Sequence, residues 1–156
     1  MLYLIRDFLH LLATATWIGG MIYSIFVLMP SLKAIGPPQR GQLMGVVGKR
    51  FSFFAWGSVV VLLITGYLKT PEGMMFDAST TYGRILLLKH LVILLMIIFG
   101  IFISLVIVPK LGKLAPKAGE PPAPEFLKTQ KQLPVFAVTN VILGIVVLLL
   151  VALLRQ

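Results

Sequence analysis

Residues 8–29, FLHLLATATWIGGMIYSIFVLM, form an apolar run of 22 residues that is interrupted by one imidazole, that of His10. At ~1.5 Å of rise per residue, a helix of this length crosses the ~30 Å hydrocarbon core of a bilayer. Ionisable side chains are costly there and usually face the interior of a bundle, where they serve a ligand, an ion or a proton. The stretch therefore predicts a membrane-spanning helix with a functional residue, His10, inside it.

Three more apolar runs follow, at residues 51–68, 85–108 and 135–154, and prolines at positions 30, 71, 109 and 134 bound the four runs. With 58% hydrophobic residues and a mean hydropathy of +0.99, the chain has too little polar surface for a soluble globule. We predict an all-α integral membrane protein, a single domain over residues 1–156 whose helices form an up-down-up-down bundle. The proline-rich segment 111–131 is predicted to be a mobile cytoplasmic loop.

The basic residues predict the orientation of this bundle. The formal net charge is +9, and nine lysines and arginines lie in the first and third loops against four on the other side. Because cytoplasmic loops carry an excess of these residues, we expect both termini outside a cell inner (plasma) membrane, and anionic lipid rather than nucleic acid as the partner. The nine are Lys33, Arg40, Lys49, Arg50, Lys110, Lys113, Lys117, Lys128 and Lys131, and the four are Arg6, Lys69, Arg84 and Arg155.

Several kinds of chemistry are excluded by composition. The absence of cysteine rules out disulfides, thiolate metal sites, iron–sulfur clusters and covalently attached haem. The five carboxylates lie outside the apolar runs, and neither a nucleophile–base pair nor a phosphate-binding loop is present. Among enzymes, a membrane haem oxidoreductase is the class that the sequence leaves open.

The two histidines suggest a haem site. His10 and His90 lie near the starts of the first and third helices, so in the predicted topology they sit at the same depth within about one turn. Diagonal helices of a four-helix bundle are ~1.4 times the ~8–10 Å neighbour spacing apart, which suits a haem b iron held by an imidazole from each side. Such a protein would pass single electrons to or from quinol or a redox partner protein.

Six further residues are candidates for the surroundings of this haem. Gly20 and Gly66 would make room for the macrocycle, although helix packing is the more common role of such glycines. Lys89 would pair with a propionate or an anion, unless it snorkels to the interface. The others are Trp17, at i+7 from His10 and otherwise a core aromatic, and the countercharges Arg6 and Arg84.

The methionines favour an alternative in which the protein handles copper. Met74 and Met75 cluster in the second loop, while Met21, Met29 and Met96 lie in the predicted spans. Thioethers and imidazoles suit Cu(I), but methionine is also a common filler of apolar helices.

Three motifs together resemble the membrane domain of the copper resistance protein D (CopD) family. They are His10-Leu11 through Trp17-Ile18-Gly19-Gly20, Arg50-Phe51-Ser52 to Thr65-Gly66, and Tyr82-Gly83-Arg84 through Lys89-His90-Leu91-Val92 to Met96. The first motif is also similar to the opening helix of the HemJ-type protoporphyrinogen oxidases, whose arginine after that helix is replaced here by Leu28-Met29-Pro30.

The resemblance implies a four-helix inner-membrane unit in which His10 and Lys89 match family positions, with copper uptake in one branch and haem-dependent chemistry in the other. Our leading hypothesis is a bis-histidine cytochrome b. The alternatives are a CopD-like copper importer and a non-catalytic membrane subunit whose histidines are structural and hydrogen-bond a neighbouring carbonyl or Ser/Thr, and a homo-oligomer is compatible with each.

Overall fold

The structure, a computed structural model, describes residues 1–116 and 119–154; the predicted loop residue Lys117 and the terminal Arg155 lie outside them. Four long helices make up the fold: α1 (Leu2–Ala34), α2 (Pro37–Lys69), α3 (Thr81–Lys113) and α4 (Pro124–Leu153). Each is long and apolar enough to cross a membrane. The predicted all-α, four-span architecture is confirmed, and the chain is a multi-pass membrane protein.

The bundle consists of two closely packed helix pairs. α1 packs along α2, and α3 packs along α4, while contacts between α1 and α4 and between α2 and α3 close the ring. The start of α1, the end of α2, the start of α3 and the end of α4 meet at one end, here named the histidine end. The opposite end is named the basic end. Between them lies a buried core of Trp17, Ile18, Met21, Val59, Met96, Val141 and Val147.

Two of the prolines predicted to close helices lie inside them. α1 continues past Pro30 and α3 past Pro109, and each proline stands two positions after the last residue of a short π-helical segment, Ser24–Leu28 in α1 and Ile103–Ile107 in α3. Proline lacks the N–H of a regular turn and its ring crowds the preceding turn, so a locally wider turn accommodates it. The prediction that these prolines end the helices was wrong for this reason.

The loop predicted at residues 111–131 is shorter in the structure. α3 runs to Lys113, and α4 begins at Pro124, so that Pro134 lies within α4 rather than before it. A proline in the first helical turn costs nothing, because the N–H groups of that turn have no intrahelical acceptor. Pro124 therefore starts a helix that the sequence pattern placed about three turns later.

The loop between α2 and α3 is packed onto the start of α3. Gly73 adopts a positive φ of 77°, and the Met74 N–H donates to Pro71 O at 3.1 Å. Thr80 caps α3 by accepting a hydrogen bond from the Gly83 N–H at 3.0 Å. A Cβ atom at Gly83, which is buried, would overlap the carbonyl oxygen of Asp77. Glycine at this position therefore lets the loop approach the helix.

We predict that Gly83→Ala lowers the thermal unfolding temperature of the detergent-solubilised protein, followed by tryptophan fluorescence. The added methyl group meets backbone rather than a flexible side chain, and overpacking of this kind costs ~1–3 kcal/mol. Gly57→Ala is the matched control, because nothing lies within 4 Å of its Cβ position and alanine favours a helix. Equal unfolding temperatures for the two variants would contradict the assigned role of Gly83.

Candidate functional site

His10 faces the neighbouring helix α2, not the diagonal helix α3. Its Nδ1 lies 2.7 Å from Thr65 Oγ1, and the Thr65 hydroxyl in turn donates to Val61 O at 2.6 Å. Because a hydroxyl has one proton and a carbonyl oxygen only accepts, Nδ1 of His10 must be the donor to Thr65. The lone pair of Nε2 is then free for a metal ion or a proton, in the orientation that a second partner typically imposes on a histidine ligand.

The imidazole of His10 lies against Gly66 of α2. A Cβ atom at Gly66 would lie 3.8 Å from Cε1 of His10, so the ring edge rests against the glycine. Thr65 beside it is only 5% exposed. The predicted role of Gly66 was to make room for a macrocycle, whereas in the structure the imidazole of His10 lies next to this glycine at an ordinary contact distance.

His90 and Lys89 lie on α3, and both are partly buried. Within residues 1–116 and 119–154, Nδ1 of His90 is buried without a hydrogen-bond partner, and no carboxylate lies within ion-pair distance of Lys89. A buried polar nitrogen without a hydrogen-bond partner is costly. His90 Nδ1 and the Lys89 ammonium group could therefore each bind a further partner at the histidine end.

The predicted countercharges are already engaged at the histidine end. Arg6 Nη2 lies 2.9 Å from Asp7 Oδ1, and Lys69 Nζ contacts the same oxygen at 3.0 Å. Arg6 Nη1 also donates to Leu68 O at 3.1 Å, which ties the start of α1 to the end of α2. Arg84 donates from Nη2 to Thr81 Oγ1 at 3.3 Å and is exposed. Arg6 therefore joins α1 to α2, and Arg84 bonds within the first turn of α3.

Trp17 and Gly20 belong to the core of the bundle. Trp17 is 7% exposed and packs in the buried cluster. A Cβ atom at Gly20 would overlap the ring of Phe51, so this glycine admits an aromatic side chain of α2. The space predicted for a porphyrin edge at Gly20 is filled by that ring.

Two adjacent cavities lie in the interior and at the basic end. A central cavity of about 140 Å³ begins level with Trp17, Val59 and Met96. A vestibule of about 1030 Å³ lies at the basic end, with Lys33 and Arg40 in its wall. The two share the residues Ile25, Met29, Met44, Val108 and Leu133.

Methionine is concentrated along this route. Four of the seven methionines line it: Met21 and Met96 line the central cavity, and Met29 and Met44 line both cavities. Met96 is only 1% exposed. The thioethers therefore form a sequence of soft ligand groups from the core to the basic end.

The histidines lie beyond the inner end of this route. His10 is seven residues from Trp17, and His90 is six residues from Met96, which places both rings about 10 Å nearer the histidine end. Neither histidine lines either cavity, and the buried Val147 of α4 fills the core on that side. The two imidazoles thus share neither of these cavities, and no finding supports the haem prediction.

Asn140 of α4 is a polar residue that the sequence analysis passed over. It is 3% exposed, lines the central cavity and donates from Nδ2 to Met96 O at 3.3 Å. Its Oδ1 is buried and has no partner among the described residues. One amide in the middle of the apolar run 135–154 was the signal that could have drawn attention to it.

The loop methionines are arranged differently from those in the cavities. Met74 and Met75 are partly buried in the loop beside Asp77. Hydrogen bonds from the Ser79 hydroxyl and from the Ser79 N–H, the latter at 2.8 Å, hold the pKa of Asp77 below its ordinary value. That carboxylate is thus committed to the turn. Across the described ranges, no group of three or more His, Asp or Glu side chains could hold a metal ion.

One family and one relative among known proteins are similar to this chain. The family described as copper resistance protein D, CopD, matches residues 45–154. An uncharacterized protein of Aquifex aeolicus (strain VF5) is 38% identical over 64 residues, which is 40% of this chain and 44% of that protein. The match thus spans less than half of that relative. No solved structure matches the chain.

We predict that Thr65→Val changes the tautomer of His10. Without the hydroxyl, the Nδ1–H loses its acceptor, and the unpaired group costs about 1–3 kcal/mol of folding free energy. The ¹⁵N NMR signals of the imidazole should show the proton on Nδ1 in the native protein and redistribution towards Nε2 in the variant. Thr65→Ser, which keeps the hydroxyl, should retain the native signals. An unchanged tautomer in Thr65→Val would refute the assignment.

Proposed function

The chain belongs to the copper resistance protein D (CopD) family, and we propose that it imports copper, conducting Cu(I) through the interior of its four-helix bundle. The observation that carries this proposal is the set of four methionines that line two adjacent cavities with five wall residues in common. Thioethers are soft ligands that prefer Cu(I), and the central cavity contains neither imidazole nor carboxylate among its lining residues.

The two ends of the bundle have different roles in this proposal. His10 presents a free Nε2 lone pair near the histidine end, where an imidazole can take up an incoming ion. The vestibule at the other end has the cations Lys33 and Arg40 and the carboxylate Glu120 in its wall. The two cations outnumber the one carboxylate, and this net positive charge disfavours retention of a cation and so favours its release. With the excess of basic residues on the cytoplasmic side of a plasma membrane, the direction of transfer is inward.

A layer of packed core side chains lies between the histidine end and the central cavity, and it must move if an ion is to pass. Trp17 and Val59 line the inner end of the central cavity, and they belong to the buried cluster that separates it from the histidine end. Trp17 lies in a π-helical segment of α1, Ala15–Gly19, a distortion that frequently marks functional sites in helices. Passage of an ion from His10 to the cavity therefore requires this layer to open.

We predict that a Met29→Leu, Met44→Leu double variant reduces Cu(I) uptake into proteoliposomes several-fold. Both residues line the junction of the two cavities, and the exchange to leucine keeps volume and apolarity while it removes the thioether. Leu28→Ile is the matched control, because it alters the wall of the same cavity without loss of sulfur.

Three outcomes of the uptake assay would count against this proposal. Absence of copper uptake by the native protein would overturn the function. Uptake that falls equally in Leu28→Ile would overturn the role of the thioethers. Uptake that depends on Met74 and Met75, but is unchanged in the Met29, Met44 double variant, would move the route from the bundle interior to the loop.

A further inference from the structure

The side-chain amide of Asn140 is fixed in one orientation. Met96 O is a carbonyl and only accepts hydrogen bonds, so the atom that faces it at 3.3 Å must be Nδ2 of Asn140. The opposite atom, Oδ1, is buried without a partner among the residues that the structure describes. An unpaired buried acceptor is costly and calls for an explanation, such as a ligand that supplies the missing interaction.

Met96 lies between α4 and α1 at the same level. Its methyl carbon Cε is 3.4 Å from the Cβ position of Gly144, which follows Asn140 by one helical turn and lies on the same face of α4. Ile18 of α1 is 3.6 Å from that position on another side. Gly144 therefore makes room for the Met96 side chain next to Asn140.

Met21 brings a second thioether to the same cavity from α1. It is 7% exposed and packs in one buried cluster with Met96. The central cavity thus receives two thioethers and one amide from three different helices, at the end farthest from the vestibule.

We propose that Met21, Met96 and Asn140 form a holding site for one Cu(I), with the two thioether sulfurs as its soft ligands and the partial negative charge of Asn140 Oδ1 turned towards the ion. The inference rests on the proposed copper function and deepens it, since it assigns the place where the ion pauses and its oxidation state. Cu(II) and Zn²⁺ prefer imidazole and carboxylate ligands, which are absent from the lining of this cavity. The site therefore accepts soft monovalent ions.

The decisive comparison is between Asn140→Leu and Asn140→Asp. Both variants remove the amide N–H₂ that donates to Met96 O, but Asn140→Asp keeps an oxygen at this position and adds a negative charge. If Asn140 only joins α3 to α4 and the ion binds elsewhere, the two variants should bind Cu(I) alike. If Oδ1 is turned towards the ion, Asn140→Leu weakens Cu(I) binding, while Asn140→Asp, whose charge attracts the cation, binds at least as tightly as the native protein.

The measurement is a Cu(I) titration of the full-length protein in lipid nanodiscs, in competition with a chromophoric Cu(I) chelator. Asn140→Leu and Met96→Leu should each weaken binding by at least about tenfold, because the loss of a second-shell partner of a metal ligand already costs ~10–100-fold. Ag(I), a redox-inert soft ion, should displace Cu(I), whereas Zn²⁺ should not. Leu28→Ile should bind Cu(I) as the native protein does.

The outcomes separate this site from the proposed function. Cu(I) uptake by the native protein with equal affinity in Asn140→Leu and Asn140→Asp would overturn the holding site and leave the copper function standing. Displacement by Zn²⁺ would overturn the assignment to soft monovalent ions. Neither binding nor uptake of Cu(I) by the native protein would overturn both proposals.

Discussion

The absence of water from the hydrocarbon core is the constraint on which this structure depends, since every polar atom there needs a partner within the protein. The hydroxyl side chains of the bundle meet it locally. Thr14, Ser24 and Ser58, for example, each donate to the carbonyl oxygen four residues earlier, at 2.7–2.9 Å. Against this pattern, His90 Nδ1 and Asn140 Oδ1 stand out in the described ranges as buried side-chain atoms without a partner. The unmet requirement directs attention to ligands at these two places.

The same constraint explains which parts of the architecture were predictable. Runs of apolar residues long enough to cross a bilayer reveal four spans, and the predicted all-α bundle follows from them. Helix ends were less predictable because a proline can begin a helix or lie inside one. Pro124 begins α4, whereas Pro30 lies inside α1 after a π-helical turn. A sequence pattern does not show whether the preceding turn can widen to admit the ring.

The candidate site was predictable in composition but not in arrangement. Depth along the membrane follows from counting residues, whereas the direction of a side chain depends on the rotation of its helix about its own axis. His10 turns to Thr65 on a neighbouring helix instead of towards α3, and the haem hypothesis had assumed the latter. Met44 and Asn140 were missed for a related reason, because neither stands out until four helices bring them to a common cavity.

The separation of ligand types along the bundle has a chemical consequence for copper. Imidazole at the histidine end can bind copper in either oxidation state, whereas thioethers in the central cavity retain only the soft, monovalent form. In the proposed import, an ion that moves from His10 to Met96 would exchange nitrogen for sulfur ligands while it leaves the hydrated interface. The buried layer of Trp17 and Val59 lies between the two environments. Selectivity would then come from the second environment, because an ion that cannot exchange its hydration shell for thioethers gains nothing by entering it.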